Sequence, residues 1–197
     1  MRLLLGPAGH PDALEALLAA DRPRPAGRPW VSANMVASLD GATAVDGESR
    51  GLSGPADRRV FHALRGLADA VMAGAGTVRA DRYGPARPHP GVRAARRARG
   101  QREVPAVVVV SRGLELDWAS PLVTAAETPT VVAAPEDAPA AARARVPAAV
   151  DLVLAGRGDV DLPAVLDALA RRGVGHLLCE GGPGLLGQLA AAGLLDE

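Results

Sequence analysis

Six short apolar runs, spaced by stretches of helix length, govern what this chain can fold into. "WVSANMVASL" (30–39), "DAVMAG" (69–74), "VPAVVVVS" (104–111), "TPTVVAA" (128–134), "VDLVLAG" (150–156) and "GHLLCEG" (175–181) read as strands. The run of four valines has no polar alternation, the pattern of a strand covered on both faces. Helix signals fall between and after the runs: "GPADRRVFHALRGLA" (54–68) with Pro55 near its start, 137–145, "DLPAVLDALARRG" (161–173) ending at a glycine, and "PGLLGQLAAAG" (183–193). A shorter helix, 12–20, opens on Asp12 as N-cap and precedes a proline-rich linker. Strands alternating with helices imply one α/β domain over 29–197, with a mainly parallel sheet covered on both faces. The arginine- and proline-rich stretch 87–102 lacks periodicity and reads as a solvated, mobile loop, with a phosphate-gripping patch as the alternative.

Composition removes whole classes of function. The formal net charge is +0, so nothing draws the chain as a whole to nucleic acid or to an acidic membrane. One cysteine, Cys179, excludes an intrachain disulfide and a cysteine-based zinc cluster, and reads as an inert core residue. No run approaches the ~20 apolar residues of a membrane span, and "MRLLLGPAG" is no signal peptide; the expectation is a cytoplasmic protein. The four histidines are scattered, and neither H-E-x-x-H nor G-x-S-x-G occurs, so no metal site is expected and no catalytic residue can be named. Chemistry without a strong nucleophile or metal points to a cofactor that brings its own reactivity.

In such a sheet, ligands bind beyond the carboxyl ends of the strands. Two strands end there in glycine turns that open helices: Gly74-Ala75-Gly76 before Thr77, and Gly181-Gly182 before Pro183. Each is either a phosphate seat built from free N–H groups or an ordinary tight turn.

The segments "ANMVASLDG", "GESRGLSGPADRRVFHALR", "ADAVMAGAGTVRAD" and "LLCEGGPGLLGQLAAAGLLDE", in this order, resemble the reductase domain of bacterial riboflavin biosynthesis. The resemblance implies a dihydrofolate reductase-like fold and an NADPH-dependent reductase. The reaction would be of the 5-amino-6-(5-phosphoribosylamino)uracil reductase type, with hydride delivered to C1′ of a ribosylamino-pyrimidine 5′-phosphate. It also implies a homodimer in the full-length form. For the cofactor it implies Val36, Thr77, Asp81, Ser111, Arg112 and the run Gly181, Gly182, Pro183, Gly184, Leu185, Leu186, Gly187 and Gln188. For the substrate it implies Asp40, Ser49, Arg65 and Glu180, with Arg65 gripping the sugar phosphate. Read from the residues alone, Arg65 could equally be a surface arginine, Asp40 an Asx-turn residue, and Glu180 an acid tied up by backbone N–H groups.

Asn34, Gly51 and "RADRYGPARP" depart from the family on the substrate side, which leaves a pterin-reducing paralogue or a non-catalytic nucleotide binder as alternatives. Family members continue past "AGLLDE" into an antiparallel hairpin. A chain without it is expected to leave an open apolar edge beside "GHLLCEG".

Overall fold

The computed structural model describes residues 13–197, so Asp12 lies outside the described residues. Helix α1 (Ala13–Ala19) leads through the proline-rich segment to strand β1 (Trp30–Ala33). The order then runs α2 (Pro55–Leu67), β2 (Ala70–Gly74), α3 (Ala75–Ala80), α4 (Pro90–Ala98), β3 (Ala106–Val110), α5 (Pro121–Thr124), β4 (Val131–Ala134), α6 (Ala140–Arg143), β5 (Asp151–Leu154), α7 (Leu162–Arg171), β6 (His176–Cys179) and α8 (Pro183–Ala191). The strands form one sheet in the order β1-β6-β2-β3-β4-β5, and every pairing between them is parallel.

The apolar runs work as the period of two requires. Met72, Val108, Val131, Ala133, Leu177 and Cys179 face one layer, where α7 and α8 bury Val165, Leu166, Leu169, Leu185 and Leu189. Ala73, Val107, Val109, Val132 and Ala134 face the other, against Val78 of α3, Leu114 and Leu122. Leu178 meets α2 through Leu64 and Ala68, with Leu17 of α1 packed alongside. A strand flanked by two apolar layers has no polar face to show, which is why these runs do not alternate.

Four expectations need correction. The first run does not stay a strand to residue 39: pairing stops at Ala33, and Asn34, Met35 and Val36 turn away to line a cleft. The stretch 87–102 is no mobile loop. It contains α4, whose Arg96 is fully buried beneath the end of α2. The segment "GHLLCEG" is not at an open edge either, because β6 pairs with β1 on one side and β2 on the other. β1 is the outer strand, and its far side is met by Asp196 and Glu197: Ala33 N–H donates to the Glu197 carbonyl (2.8 Å) and Asp196 N–H to the Val31 carbonyl (2.9 Å). The helix expected over 137–145 is only the single turn α6.

Candidate active site

Chain direction makes a crevice between β2 and β6. From β2 the chain moves outward through β3, β4 and β5, whereas from β6 it leaves through α8 toward β1. Connections that diverge from neighbouring parallel strands leave room at the strands' carboxyl ends. That room is a cleft of about 740 Å³, walled by α2, the ends of β2 and β6, the start of α8 and the loop after β1.

Glu180, the residue after β6, is buried, with 7% of its surface exposed. Arg65 Nε donates to its Oε1 and Arg65 Nη2 to its Oε2, both at 2.6 Å, and the Tyr83 hydroxyl donates to Oε2 at 2.5 Å. The guanidinium carbon lies 4.3 Å from the Phe61 ring centroid and 5.6 Å from that of Tyr83. The chain has one phenylalanine and one tyrosine, and both are spent on this arginine. Burial works against the Arg65 charge, but the hydrogen bond and charge of Glu180 outweigh it and hold the guanidinium above its ordinary value. Burial, then the Glu180 charge, push the Tyr83 phenol well up, so it remains a donor.

The two glycines after Glu180 are explained by close approach. Gly181 has φ +90°, and a Cβ there would lie 2.5 Å from Met35 Sδ; a Cβ on Gly182 would lie 2.7 Å from Thr77 Oγ1. Gly74 N–H donates to the Gly181 carbonyl at 2.7 Å, which ties the two glycine turns together. Across the cleft, Asp81 accepts from the Ser49 N–H (3.1 Å) and hydroxyl (3.0 Å), pinning the 44–53 loop to the end of α3. That loop begins with a hairpin in which Val45 pairs Glu48 around Asp46 and Gly47, both at positive φ, as a type I′ turn requires.

A second hollow, about 540 Å³, lies beyond β3 and β4 and shares Gly76 with the cleft. Ser111, Arg112, Arg79 and Asp137 line it.

Of the residues expected at a site, Val36, Ser49, Thr77, Asp81, Glu180, Gly182, Pro183, Gly184 and Leu185 line the cleft, and Ser111 and Arg112 line the second hollow. Gly181 is buried behind the wall. Leu186, Gly187 and Gln188 continue along α8 and line neither space. Arg65 is turned onto Glu180 and does not line the cleft. Asp40 sits in an exposed turn, hydrogen-bonded by the Ser38 hydroxyl, which holds its carboxyl below the ordinary value; it lines neither space. Arg58, Phe61, His62, Tyr83 and Met35 were not anticipated. The i, i+4 spacing of Arg58 and His62 within one helix is the signal that would have found those two.

The family model described as the RibD C-terminal domain matches residues 29–197. The chain belongs to that family. Two archaeal relatives are each named 2,5-diamino-6-ribosylamino-4(3H)-pyrimidinone 5′-phosphate reductase. That of Archaeoglobus fulgidus is 34% identical over 173 residues, covering 86% of this chain and 78% of the relative. That of Methanothermobacter thermautotrophicus is 34% identical over 170 residues, covering 86% and 75%. The crystal structure of a pyrimidine reductase-like protein from Corynebacterium diphtheriae superposes with a TM-score of 0.76 at 26% identity, over 85% of this chain and 71% of that one. The RibD C-terminal domains are reductase domains of riboflavin biosynthesis with a dihydrofolate reductase-like fold, as the four quoted motifs implied.

Proposed function

We propose that this chain is the NADPH-dependent reductase of a ribosylamino-pyrimidine 5′-phosphate, acting at C1′ of the ribosyl group. The observation that carries the reading is the two-part site: a large cleft at the β2/β6 crevice, contiguous at Gly76 with a hollow that holds Ser111 and Arg112. A dinucleotide laid along the carboxyl edge of the sheet would put its nicotinamide end beside Glu180 and its adenosine end beside Arg112. The names of the archaeal relatives favour the 2,5-diamino-pyrimidinone over the aminouracil as the base.

The residues present fit the cofactor. No side chain caps α8, its first residue is a proline, and Gly184 is exposed, so the first-turn N–H groups can receive a pyrophosphate. When bound, a reduced nicotinamide supplies the hydride. The chain's own part is to position and enclose: Thr77 and Asp81 fix the α3 side, Met35 packs over the glycine turn, Val36 lines the cleft, and Glu180, held from behind by Arg65, forms part of the wall. Homodimer formation belongs to the same reading and is checked by light scattering.

The direct test is loss of NADPH absorbance with each pyrimidine and with a dihydropterin. Turnover of the pterin alone overturns the proposal. At the adenosine end, a guanidinium near the 2′-phosphate contributes roughly 1.5–3 kcal/mol. Arg112→Ala is therefore expected to narrow the preference for NADPH over NADH by about tenfold or more, read as the ratio of the two dissociation constants.

A further inference from the structure

We infer that Tyr83 is a positioning residue for the reductase reaction: its hydroxyl closes one oxygen of Glu180, so that the carboxylate offers the substrate a single acceptor position, on Oε1. The inference rests on reading the cleft as the seat of a ribosylamino-pyrimidine 5′-phosphate.

Local structure brings Tyr83 to that place. It lies in "RADRYGPARP", the segment that departs from the family. Helix α3 ends with the Asp81 N–H on the Thr77 carbonyl (2.9 Å), Arg82 at φ +50°, and the Tyr83 N–H on the Val78 carbonyl (3.0 Å). This is a Schellman cap with an arginine in the left-handed position that glycine usually takes. The cap turns the chain back, and the Tyr83 ring packs against the apolar layer that holds Val78. From there its hydroxyl reaches Glu180 Oε2. A disfavoured backbone conformation that delivers one side chain to a cleft points to a use for that side chain there.

A carboxylate has about four lone-pair positions. Arg65 Nη2 and the Tyr83 hydroxyl take those of Oε2, and Arg65 Nε takes one of Oε1. Among the described residues no other donor meets the Glu180 side chain, which leaves the second position of Oε1. Glu180 and Tyr83 line the cleft and Arg65 does not, so the cleft meets this cluster through its carboxylate and phenol. Burial and the Glu180 charge hold the phenol protonated, so it serves as a donor and not as a base. With Oε2 closed, an N–H or O–H of the substrate finds one oxygen and one direction. Without the phenol either oxygen accepts, and the reacting carbon is no longer held in one place.

The test compares the full chain with its Tyr83→Phe variant, which keeps the ring beside Arg65 and removes only the hydroxyl. Each is titrated by calorimetry with the ribosylamino-pyrimidine 5′-phosphate and, separately, with NADPH. The stoichiometry counts folded sites, so a loss of stability alone leaves the dissociation constant where it was. Tyr83→Phe is expected to weaken pyrimidine binding by about tenfold and to leave NADPH binding unchanged. Glu180→Gln should weaken pyrimidine binding at least as much, and adding Tyr83→Phe to it should cost nothing further, because Tyr83 acts through Glu180. The chain has one tyrosine, so phenolate absorbance reports on position 83 alone. In the folded wild type it should stay absent through the ordinary phenol value of about 10. The inference is overturned if Tyr83→Phe binds the pyrimidine as wild type does, if it loses NADPH equally, if the two substitutions add, or if the wild-type phenol ionises near 10. Should Glu180→Gln fail to fold, the Tyr83→Phe constants and the wild-type phenol decide alone. A wild-type protein that binds no ribosylamino-pyrimidine phosphate overturns the reductase reading and this inference with it; one that binds it equally well with and without the hydroxyl overturns the inference alone.

Discussion

Glu180 carries three donors on two oxygens, and that arrangement sets what substitution there can do. Glu180→Gln places an amide N–H where a donor already points and leaves the guanidinium of Arg65 without its counter-charge. Breaking one side of a buried pair costs roughly 3–5 kcal/mol, and the quarter of the Arg65 side chain that is exposed puts this case near the lower end. Tyr83→Phe removes one hydrogen bond to a charged acceptor, about 1.5–3 kcal/mol. Urea unfolding should show both as lower midpoints with unchanged slope, Glu180→Gln the larger. A Glu180→Gln midpoint equal to wild type would mean the pair contributes nothing to the fold. The sequence offered the glycine turns as candidates because they follow strands, and strand ends define the ligand side of such a sheet, whereas Glu180, Thr77 and Ser111 came as candidates from the family resemblance. It did not reveal which arginine of α2 faces the cleft. That depends on the helix's rotation about its own axis, set by Leu64 and Ala68 packing on Leu178, a contact more than a hundred residues distant.

Helix α2 is positioned from its carboxyl end by α4, the element the sequence concealed. Arg96, with no exposed surface, donates to the carbonyls of Ala68 (2.6 Å), Gly66 (3.2 Å) and Arg65 (3.4 Å) at that end, and to Arg102 (2.8 Å). Gln101 adds a bond to the Leu67 carbonyl at 2.7 Å. Carbonyls at a helix end have no partner within the helix and attract a cation. Burial holds the Arg96 guanidinium below its ordinary value despite the nearby Asp69 charge, so it is sustained by these carbonyls. Arg96→Met, close in volume, is expected to destabilise by about 3 kcal/mol, as several buried acceptors lose their donor. It should also raise hydrogen-exchange rates in the last turn of α2 before the rest of the sheet; uniform acceleration would place the effect elsewhere. The strands were legible because two apolar layers impose unbroken runs. α4 was not, because arginines at 93, 96, 97 and 99 swamp its periodicity and the residue that faces inward is itself charged. The shortness of β1 was equally invisible: "NMV" has strand composition but is used to line the cleft.

Across the whole molecule, the outer side of β1 is held by charges drawn from opposite ends of the described chain. Arg22 donates to both oxygens of Glu197 at 2.6 and 2.7 Å, and Arg28 to both of Asp196 at 2.5 and 2.8 Å; Asp196 also accepts the Val31 N–H. The Ser32 hydroxyl sits 2.7 Å from His176 Nε2 and 3.0 Å from Glu197. The Arg28 hydrogen bond holds the Asp196 carboxyl below its ordinary value. Burial pushes the Glu197 carboxyl up, but the hydrogen bond and charge of Arg22 outweigh it, and the net displacement is also downward. A carboxylate lowered in the folded state contributes stability that is complete above its unfolded value, about 4, and is lost as pH falls through the folded one. His176 bends the curve the same way. Burial, then the Arg22 charge, lower its value below 6.5, so the unfolded chain takes up a proton first and stability declines from there downward. Urea midpoints are therefore expected to be level above about pH 7, to fall gently through the range below 6.5, and to fall more steeply below about 4. His176→Gln should remove the gentle limb and leave the steep one; Asp196→Asn should lower the level part and shallow the steep one. A wild-type curve level from pH 7 down to about 5 would show that His176 is protonated equally in both states, and that burial beside Ser32 does not disfavour its charge.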